Sequence, residues 1–249
     1  DFMKGAYLGP QFQNDTIESF LNQNNYPYKK LNNSEISEKI ADLISDEKVI
    51  GWFQGKMEFG PRALGARSII GDARSSEMQK TMNLKIKHRE SFRPFAPSIM
   101  AEHISDYFEI DRASPYMLFV ANVRNDKQIS MTEQQKSYFG LKKLNVVRSE
   151  IPAITHVDYS ARIQSVNQET NPLYYQMLTK FYDKYDCSVI VNTSFNVRGE
   201  PIVCTPEDAY LCFMRTEMDY LIIGHYLLNK TEQRPLKKDS EWRKEFELD

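Results

Sequence analysis

The stretch that decides the fold is Val191-Asn192-Thr193-Ser194-Phe195-Asn196-Val197-Arg198-Gly199. It follows the short apolar run 188–191, which predicts a buried strand. It precedes Thr205-Pro206-Glu207-Asp208, which carries the N-cap, first-turn proline and acidic residues that begin a helix. Hydroxyl and amide side chains between a strand and a helix suit a turn at the C-terminal edge of a sheet, where α/β proteins usually bind ligands. The alternative is an Asx or Ser turn that satisfies only its own backbone.

Strands and helices alternate along the rest of the chain. Runs of β-formers predict strands at residues 48–54, 67–71, 117–123, 161–166 and 219–224. Apolar residues at helical spacing predict helices that begin at Ser34 and Ser75 and a helix over 172–185. Residues 92–100 contain two prolines, which favour an edge strand or an extended loop. This alternation favours an α/β or α+β open sheet.

Polar segments divide the chain into a predicted domain and its flanks. Residues 1–33 are rich in Asn and Gln, and we expect an extended lead-in segment that packs on a neighbouring domain. Residues 34–229 form the predicted domain. Within it, residues 124–150 are charged and irregular, as is typical of an insertion that serves as a lid or partner contact. Residues 230–249, with six basic and six acidic side chains, predict a charged C-terminal tail.

The composition excludes several classes of protein. The net charge of -2 gives no support for non-specific nucleic-acid binding, which usually needs a basic excess. No apolar run approaches the roughly 20 residues that cross a bilayer, and no signal peptide opens the chain. The cysteines number three and include no CxxC pair, so we expect reduced core thiols and a cytoplasmic location. The first residue is Asp1, which suggests a fragment or a processed product.

Positive charge is concentrated in residues 55–93, which hold nine Lys or Arg against four acidic residues. These cations stand among Gly, Pro, Phe and Ser, so a backbone and a planar guanidinium can both approach an anion. Gly60-Pro-Arg-Ala-Leu-Gly65 resembles the start of a phosphate loop but lacks the Lys-Ser/Thr that must follow. We therefore expect a phosphate site built from arginine side chains, with a solvated basic face as the alternative.

Thr155-His156-Val157-Asp158 and the nearby Arg162 form a further polar cluster. His156 and Asp158 would lie on one side of an extended segment, as metal ligands sometimes do. The other histidines are scattered in sequence, so a complete metal site is not expected. His156 is better interpreted as a hydrogen-bonding pocket residue or a satisfied structural one.

Taken in order, the motifs resemble those of the O-carbamoyltransferases, which include nodulation-factor, cephamycin and aminoglycoside carbamoyltransferases. The matching blocks are Gly55 to Gly65 with Arg67-Ser68, Arg89 to Pro97, Thr155 to Asp158, Asn192 to Asn196, and Glu200 to Val203. The resemblance implies that residues 34–229 are the family's C-terminal domain, with a YrdC-like twisted, open, mixed sheet and flanking helices. Lys87-His88-Arg89 and Ser194-Phe195-Asn196 match the Lys-x-Arg and Ser-x-Asn signatures of YrdC-like proteins.

The resemblance also implies an activity. The domain would bind ATP and carbamoyl phosphate and form carbamoyl-adenylate, with Mg²⁺ entering together with ATP. An N-terminal transfer domain of the same polypeptide would then carbamoylate a hydroxyl acceptor. That domain's His-rich metal site has no counterpart here, since no HxxxH pattern occurs, so we expect no such metal in this chain. The acceptor is not indicated.

The candidate site residues follow from these motifs. We expect preorganised cations to carry the chemistry, because attack on a phosphorus atom places charge on its equatorial oxygens. The catalytic candidates are Lys87, Arg89, Arg62 and Arg67. The candidates for binding ATP or carbamoyl phosphate are Ser194, Asn196, Asn192, Thr193, Arg162, Arg198 and His156. No metal ligands are predicted.

Two other classes of function stay open at this point. The first is a non-catalytic nucleotide-binding or RNA-binding module, in which the arginines contact a partner domain or an RNA backbone. The net charge of -2 makes nucleic acid an unfavourable partner. The second is a purely structural C-terminal domain, in which Lys87, Arg89 and Ser194 would point away from one another.

Overall fold

A mixed eight-stranded sheet organises the chain in a computed structural model that describes residues 2–236. The strands are β1 (Lys29–Lys30), β2 (Ile50–Phe53), β3 (Arg67–Asp72), β4 (Ala96–Met100), β5 (Val120–Asn122), β6 (Ser160–Arg162), β7 (Gln164–Val166), β8 (Val189–Ser194), β9 (Tyr220–Ile223) and β10 (Tyr226–Asn229). Their order in the large sheet is β1-β10-β9-β2-β3-β8-β4-β7. The strands β5 and β6 form a separate two-stranded sheet.

Strand β8 connects the two halves of the large sheet. It runs antiparallel to β3, with Ser194 opposite Ser68, and antiparallel to β4, with Asn192 opposite Ala96. The strand β4 is in turn parallel to β7. The C-terminal end of β8 therefore lies at the same edge of the sheet as the N-terminal ends of β3, β4 and β7.

The helices pack their apolar sides against this sheet. They are α1 (Asn14–Gln23), α2 (Asn33–Ser45), α3 (Met78–Thr81), α4 (Ile104–Tyr107), α5 (Glu133–Lys136), α6 (Leu141–Leu144), α7 (Pro172–Tyr185) and α8 (Pro206–Arg215). Helix α7 begins with Pro172 after the N-cap Asn171 and buries Met177 and Phe181. It packs against α2, and both helices contact strands of the sheet. Helix α8 contacts β2 and β9.

Several predicted elements differ from the observed ones. Helix α2 begins at Asn33, one residue before Ser34, and its N-cap Asn32 forms a capping box with Glu35. The strand predicted at 161–166 is divided between the two sheets, because the chain changes sheet at Ile163. Residues 92–95 are a loop, as one of the two predictions for 92–100 has it. For residues 96–100 the prediction of an edge strand or loop is wrong, since β4 lies between β8 and β7 although Pro97 cannot donate a ladder hydrogen bond.

The N-terminal segment is not extended throughout, contrary to the expectation for residues 1–33. It contains α1, which buries Ile17 and Leu21 in the core, and β1, which pairs with β10. The segment thus packs on the same sheet as the rest of the chain. Whether residues 34–229 form a domain on their own stays a prediction.

The start of the predicted tail also packs against the fold. Lys230 Nζ donates to the carbonyl of Thr216 at 2.8 Å, and the buried Gln233 donates to the carbonyl of Pro27 at 2.9 Å. Residues 237–249 of the predicted tail lie outside the described residues. Within residues 2–236, none of the helices combines the length and apolar composition needed to cross a bilayer.

The insertion at 124–150 contains the two short helices α5 and α6. Its ends are held together by a hydrogen bond of 2.7 Å from Ile129 N to Arg148 O and by a bridge between Gln128 and Ser149. Phe139 is 94% exposed and Leu141 is 58% exposed on this segment. A role as a lid stays a prediction.

Candidate anion-binding site

A pocket of about 390 Å³ lies beyond the C-terminal end of β8, and we call it the cationic pocket. It combines the Lys-x-Arg and Ser-x-Asn stretches with the loop that follows β8. Its lining residues are Lys87, Arg89, Arg93, Ser194, Asn196, Val197, Arg198, Gly199, Glu200 and Pro201. The structure therefore brings together Lys87, Arg89, Ser194, Asn196 and Arg198, which come from stretches about a hundred residues apart.

The Lys87 ammonium is the most buried charge of this pocket. Lys87 is 3% exposed, and its Nζ lies 2.5 Å from the carbonyl oxygen of Ser194 and 2.8 Å from that of Asn196. The side-chain oxygens of Ser194 and Asn196 lie 3.3 and 2.8 Å away. An ammonium has three protons, so these four oxygens saturate it. Lys87 thus fixes the end of β8, and its charge acts on the pocket through space.

Burial lowers the pKa of Lys87 to about 7. The nearby Arg89 contributes in the same direction, whereas Glu200 opposes the shift. The surrounding oxygens also oppose it, because they accept hydrogen bonds from the charged form.

Arg89 is held by the helical turn that precedes it. The residues Met82–Ile86 form a π-helical turn, a distortion often found at functional sites. Asn83 from this turn is buried, and its Oδ1 accepts a hydrogen bond of 2.6 Å from Arg89 Nε. The guanidinium also stacks over the ring of Phe95, 5.0 Å from its centroid. Arg89 is therefore locked in one orientation before any ligand binds.

The cationic pocket holds an excess of positive charge. Burial first, and then Arg93 and Arg198, lower the pKa of Arg89 to about 10, while Glu90 opposes the shift. Glu90 lies 3.0 Å from Arg93 and 3.8 Å from Arg198, two residues that line the pocket. A bound anion would relieve the repulsion among these cations.

The loop after β8 is built by hydrogen bonds of its own side chains. Ser194 Oγ donates to Asn196 Oδ1 at 2.7 Å, and Asn196 Nδ2 donates to the carbonyl of Glu200 at 2.6 Å. The carboxylate of Glu200 accepts a hydrogen bond of 2.8 Å from the backbone N–H of Val197. The sequence motif includes Glu200, but its part in shaping the loop could not be inferred from spacing.

Arg62 and Arg162 form a second positive cluster, which we call the arginine pair. Arg162 is half-buried, and its Nε has no hydrogen-bond partner among the described residues. Burial and then the charge of Arg62 lower the pKa of Arg162. Burial, followed by the charge of Arg162, lowers the pKa of the neighbouring His156, whereas Asp158 opposes the shift. Two guanidiniums beside a neutral imidazole are suited to a second anion.

Glu58 organises the loop that carries Arg62, and sequence reasoning missed it. Glu58 is 5% exposed, and its Oε1 accepts hydrogen bonds from the backbone of Leu64 at 2.7 Å and Ala66 at 2.6 Å. A third bond comes from Arg67 N at 3.2 Å. A lone acid inside a Gly- and Pro-rich basic loop was the signal that could have identified it.

Three candidate residues lie elsewhere in the fold. Arg67 is 0% exposed and donates to backbone carbonyls, including those of Gln54 at 3.0 Å and Pro10 at 3.1 Å, so it fastens loops together. Asn192 is buried inside β8 and donates to the carbonyl of Ala63 at 3.0 Å. Thr193 is also within β8, so the predicted turn starts at Phe195, three residues later than Asn192. None of the three lines the cationic pocket.

The described residues 2–236 contain no group of three or more His, Cys, Asp or Glu side chains placed to hold a metal ion. Thr155, next to the candidate His156, bonds to Ser149 Oγ at 2.7 Å, so it braces this segment. The three cysteines are free thiols, two of them buried.

The mixed sheet and its cationic edge define an α/β domain with a candidate anion-binding site. The chain belongs to the carbamoyltransferase C-terminal family, since residues 41–230 match the family described as "Carbamoyltransferase C-terminus". This confirms the resemblance that the sequence motifs indicated.

Several relatives are similar over nearly the whole chain. Nodulation protein NolO of Bradyrhizobium diazoefficiens is 39% identical, with 90% of this chain and 38% of the relative covered. The 3'-hydroxymethylcephem-O-carbamoyltransferase of Streptomyces clavuligerus is 30% identical, with 88% and 36% covered. An uncharacterized Synechocystis protein is 58% identical, with 100% and 41% covered. The chain thus spans about two fifths of the length of these relatives.

Two solved structures share the fold. Full-length HypF in its phosphate- and nucleotide-bound form has a TM-score of 0.50 and 16% identity, with 76% of this chain and 25% of HypF covered. Sua5 of P. abyssi in complex with L-threonine has a TM-score of 0.50 and 12% identity, with 79% and 48% covered. Both are YrdC-like, so the YrdC-like fold expected from the sequence is confirmed.

Proposed function

We propose that this domain binds ATP and carbamoyl phosphate and forms carbamoyl-adenylate. The observation that carries the proposal is the presence of two positive clusters, the cationic pocket and the arginine pair, in one α/β domain. The two substrates are both polyanions that repel each other, so a site that brings them together needs separate cations for each. Family membership supports the proposal independently, as does the fold shared with HypF, which was solved in a phosphate- and nucleotide-bound form.

The proposed chemistry has two steps. Water first attacks the phosphorus of carbamoyl phosphate, the bond from phosphorus to the carbamoyl oxygen breaks, and carbamate leaves as inorganic phosphate forms. A carbamate oxygen then attacks the α-phosphorus of ATP, the bond to the β-phosphate oxygen breaks, and its electron pair leaves with pyrophosphate. Negative charge builds on the equatorial oxygens of the α-phosphorus during the attack. Fixed cations stabilise that charge without having to reorganise.

Each cluster has a distinct role in this proposal. Arg89 and Arg198 bind the phosphates of ATP, and the buried Lys87 is a positioning residue that fixes Ser194 and Asn196 at the pocket wall. Arg62 and Arg162, beside the neutral His156, hold carbamoyl phosphate or the carbamate derived from it. Arg67, Asn192 and Thr193 support the loops and the strand around them.

Mg²⁺ would be bound mainly by the ATP phosphates and water, because carboxylates suited to a protein cage are not grouped in residues 2–236. Carbamoyl transfer to a hydroxyl acceptor would be performed by an N-terminal domain, as suggested by the greater length of the O-carbamoyltransferase relatives. A cytoplasmic location stays a prediction that rests on the free thiols.

The test is carbamoyl-phosphate-dependent exchange of labelled pyrophosphate into ATP by the 249-residue chain. We expect exchange with the parent chain and a loss of about 100-fold or more with Arg89→Ala, since a fixed cation on transition-state charge is removed. Arg112→Ala is the matched control, because Arg112 is exposed and pairs with its neighbour Asp111 at 3.3 Å. Equal exchange in both variants, or no exchange in the folded parent, would refute the proposal.

A further inference from the structure

A small polar pocket of about 170 Å³ lies between the α3 region and the end of the 124–150 insertion, and we call it the insertion pocket. Ser76 and Lys80 line it from the α3 region, and Asn145 and Arg148 line it from the insertion. It shares no lining residue with the cationic pocket. Its volume is below the range of about 300–1,000 Å³ typical of small-molecule sites, so a ligand that fits it is small.

Arg148 carries a buried charge in the wall of this pocket. It is 5% exposed, and within residues 2–236 no acidic side chain pairs with it. Burial lowers the pKa of Arg148, whereas the phenol of Tyr159 opposes the shift. Buried charges in proteins are usually paired with a charge of opposite sign. The unpaired guanidinium is therefore suited to an anion that enters the pocket from solution.

The hydrogen bonds of Arg148 leave one edge of its guanidinium unused. Nη1 donates to the carbonyl oxygens of Lys143 at 2.8 Å and Leu144 at 3.3 Å, which caps the end of α6. Nε is buried without a partner, and Nη2 donates to none of the described residues. Of the five N–H groups of the side chain, three are thus left for a ligand. Nε and Nη2 together form an edge that can bind two oxygens of one oxyanion.

Other side chains of the pocket can also donate to an anion. The ammonium of Lys80 lies 3.9 Å from the carboxylate of Glu77, and the two side chains are 63% and 71% exposed. This loose pair leaves Lys80 able to turn towards the pocket. The hydroxyl group of Ser91 also lines the pocket. Glu77 is acidic, but its carboxylate is well exposed, so the positive charge of Arg148 and Lys80 prevails.

We infer that the insertion pocket binds a small oxyanion with the size and charge of inorganic phosphate, independently of the proposed function. Arg148 holds two of its oxygens through Nε and Nη2, and Lys80 and Ser91 hold the others. The bound anion joins the insertion to α3, which continues into the turn that holds Arg89. The volume of the pocket excludes a nucleotide.

The experiment follows hydrogen–deuterium exchange of the 249-residue chain during titration with inorganic phosphate, with potassium chloride of equal ionic strength as the reference. We expect exchange in residues 141–148 to slow by about threefold or more at saturation, because the bound anion fixes the end of α6. The phosphate concentration that gives half of this effect measures the affinity. Arg148→Lys should raise that concentration by about tenfold or more, since lysine keeps the charge and can cap α6 but lacks the planar edge that binds two oxygens.

Lys80→Gln should raise the same concentration by about threefold, because one cation beside the anion is lost. Lys85→Gln is the matched control, since Lys85 is 54% exposed, pairs with Glu217 and does not line the pocket. Its phosphate affinity should equal that of the parent chain. Circular dichroism checks the folding of each variant, and Lys80→Gln decides the outcome if Arg148→Lys does not fold.

Parent-like phosphate affinity in the deciding variant, or no slowing of exchange in residues 141–148 of the folded parent, would overturn the site. Slowing confined to residues 194–200 would also overturn it, and would assign phosphate to the cationic pocket instead. Loss of pyrophosphate exchange without loss of phosphate binding at 141–148 would affect the proposed function alone.

Discussion

Lys87→Met tests whether the buried ammonium holds the end of β8. Methionine has a similar length and no polar atom at its end that could replace the ammonium. Two of the four oxygens around Nζ are main-chain carbonyls, those of Ser194 and Asn196, and no side-chain change can remove them. The substitution therefore leaves buried acceptors without a donor. A buried acceptor left without a donor costs about 1–3 kcal/mol.

The apolar thioether recovers some burial free energy, so we expect the free energy of unfolding to fall by about 2 kcal/mol. The assay is urea denaturation monitored by circular dichroism. The dependence of the free energy of unfolding on urea concentration is compared between variant and parent, because this slope reports the surface exposed on unfolding. Lys85→Met is the control, because Lys85 is 54% exposed and pairs with Glu217 at 3.3 Å on the surface. The Lys85→Met substitution should lower the free energy of unfolding by less than about 1 kcal/mol.

The pH dependence gives a second measurement on the same variant. The pKa of Lys87 in the folded chain is about 7, below its value of about 10.4 in an unfolded chain. Between these values the unfolded chain binds more protons, so the stability that Lys87 contributes rises as the pH increases from about 7 towards 10. The difference in free energy of unfolding between the parent and Lys87→Met should grow over that range. A constant difference, or equal losses in the Lys85 and Lys87 variants, would refute this account of Lys87.

Substitutions at Gly65, Thr205 and Glu58 test the residues that support the site. Gly65→Ala should lower the free energy of unfolding, measured by urea denaturation, by more than about 3 kcal/mol. Gly65 has a φ of +96°, and a Cβ there would lie 2.5 Å from the ring of Tyr174. Gly55→Ala, with a φ of +56° and no atom within 4 Å, should cost only about 1 kcal/mol, and equal losses would contradict the packing argument. Thr205→Ala should lower stability by about 1 kcal/mol through loss of the α8 N-cap, whereas Thr205→Ser should restore it. Glu58→Gln should lower the free energy of unfolding by about 1–3 kcal/mol, because a charged acceptor of three backbone N–H groups is lost. It should also reduce pyrophosphate exchange. Exchange equal to that of the parent chain would show that this loop has no part in the site.

Elements with local signals were predictable from the sequence. Helix α7 has the predicted bounds because Asn171 and Pro172 fix its start, and α8 begins at the expected proline after the Thr205 cap. The strand β8 runs three residues beyond the predicted 188–191 because its polar end pairs with β3, a partner more than a hundred residues away. Local propensity could not show that pairing.

The residues of the candidate site were likewise predictable only in part from the sequence. The sequence motifs and their resemblance to YrdC-like signatures made Arg89, Ser194 and Asn196 candidates, and these three residues line one pocket. Their role in binding stays a prediction. The sequence could not separate these from Arg67, because both Arg67 and Arg89 belong to the same glycine-rich or proline-rich basic region. Only the tertiary structure shows that Arg67 bonds to backbone carbonyls while Arg89 borders a cavity.

The position of β8 has a consequence for synthesis on the ribosome. Until residues 189–194 have been made, β3 and β4 have no strand between them, so the sheet exists at most as two unconnected parts with open edges. A nascent chain that has not reached Ser194 also leaves the Lys87 side chain without its four acceptor oxygens. Assembly of the site therefore waits for the last third of the chain, and shorter products would expose edges prone to aggregation.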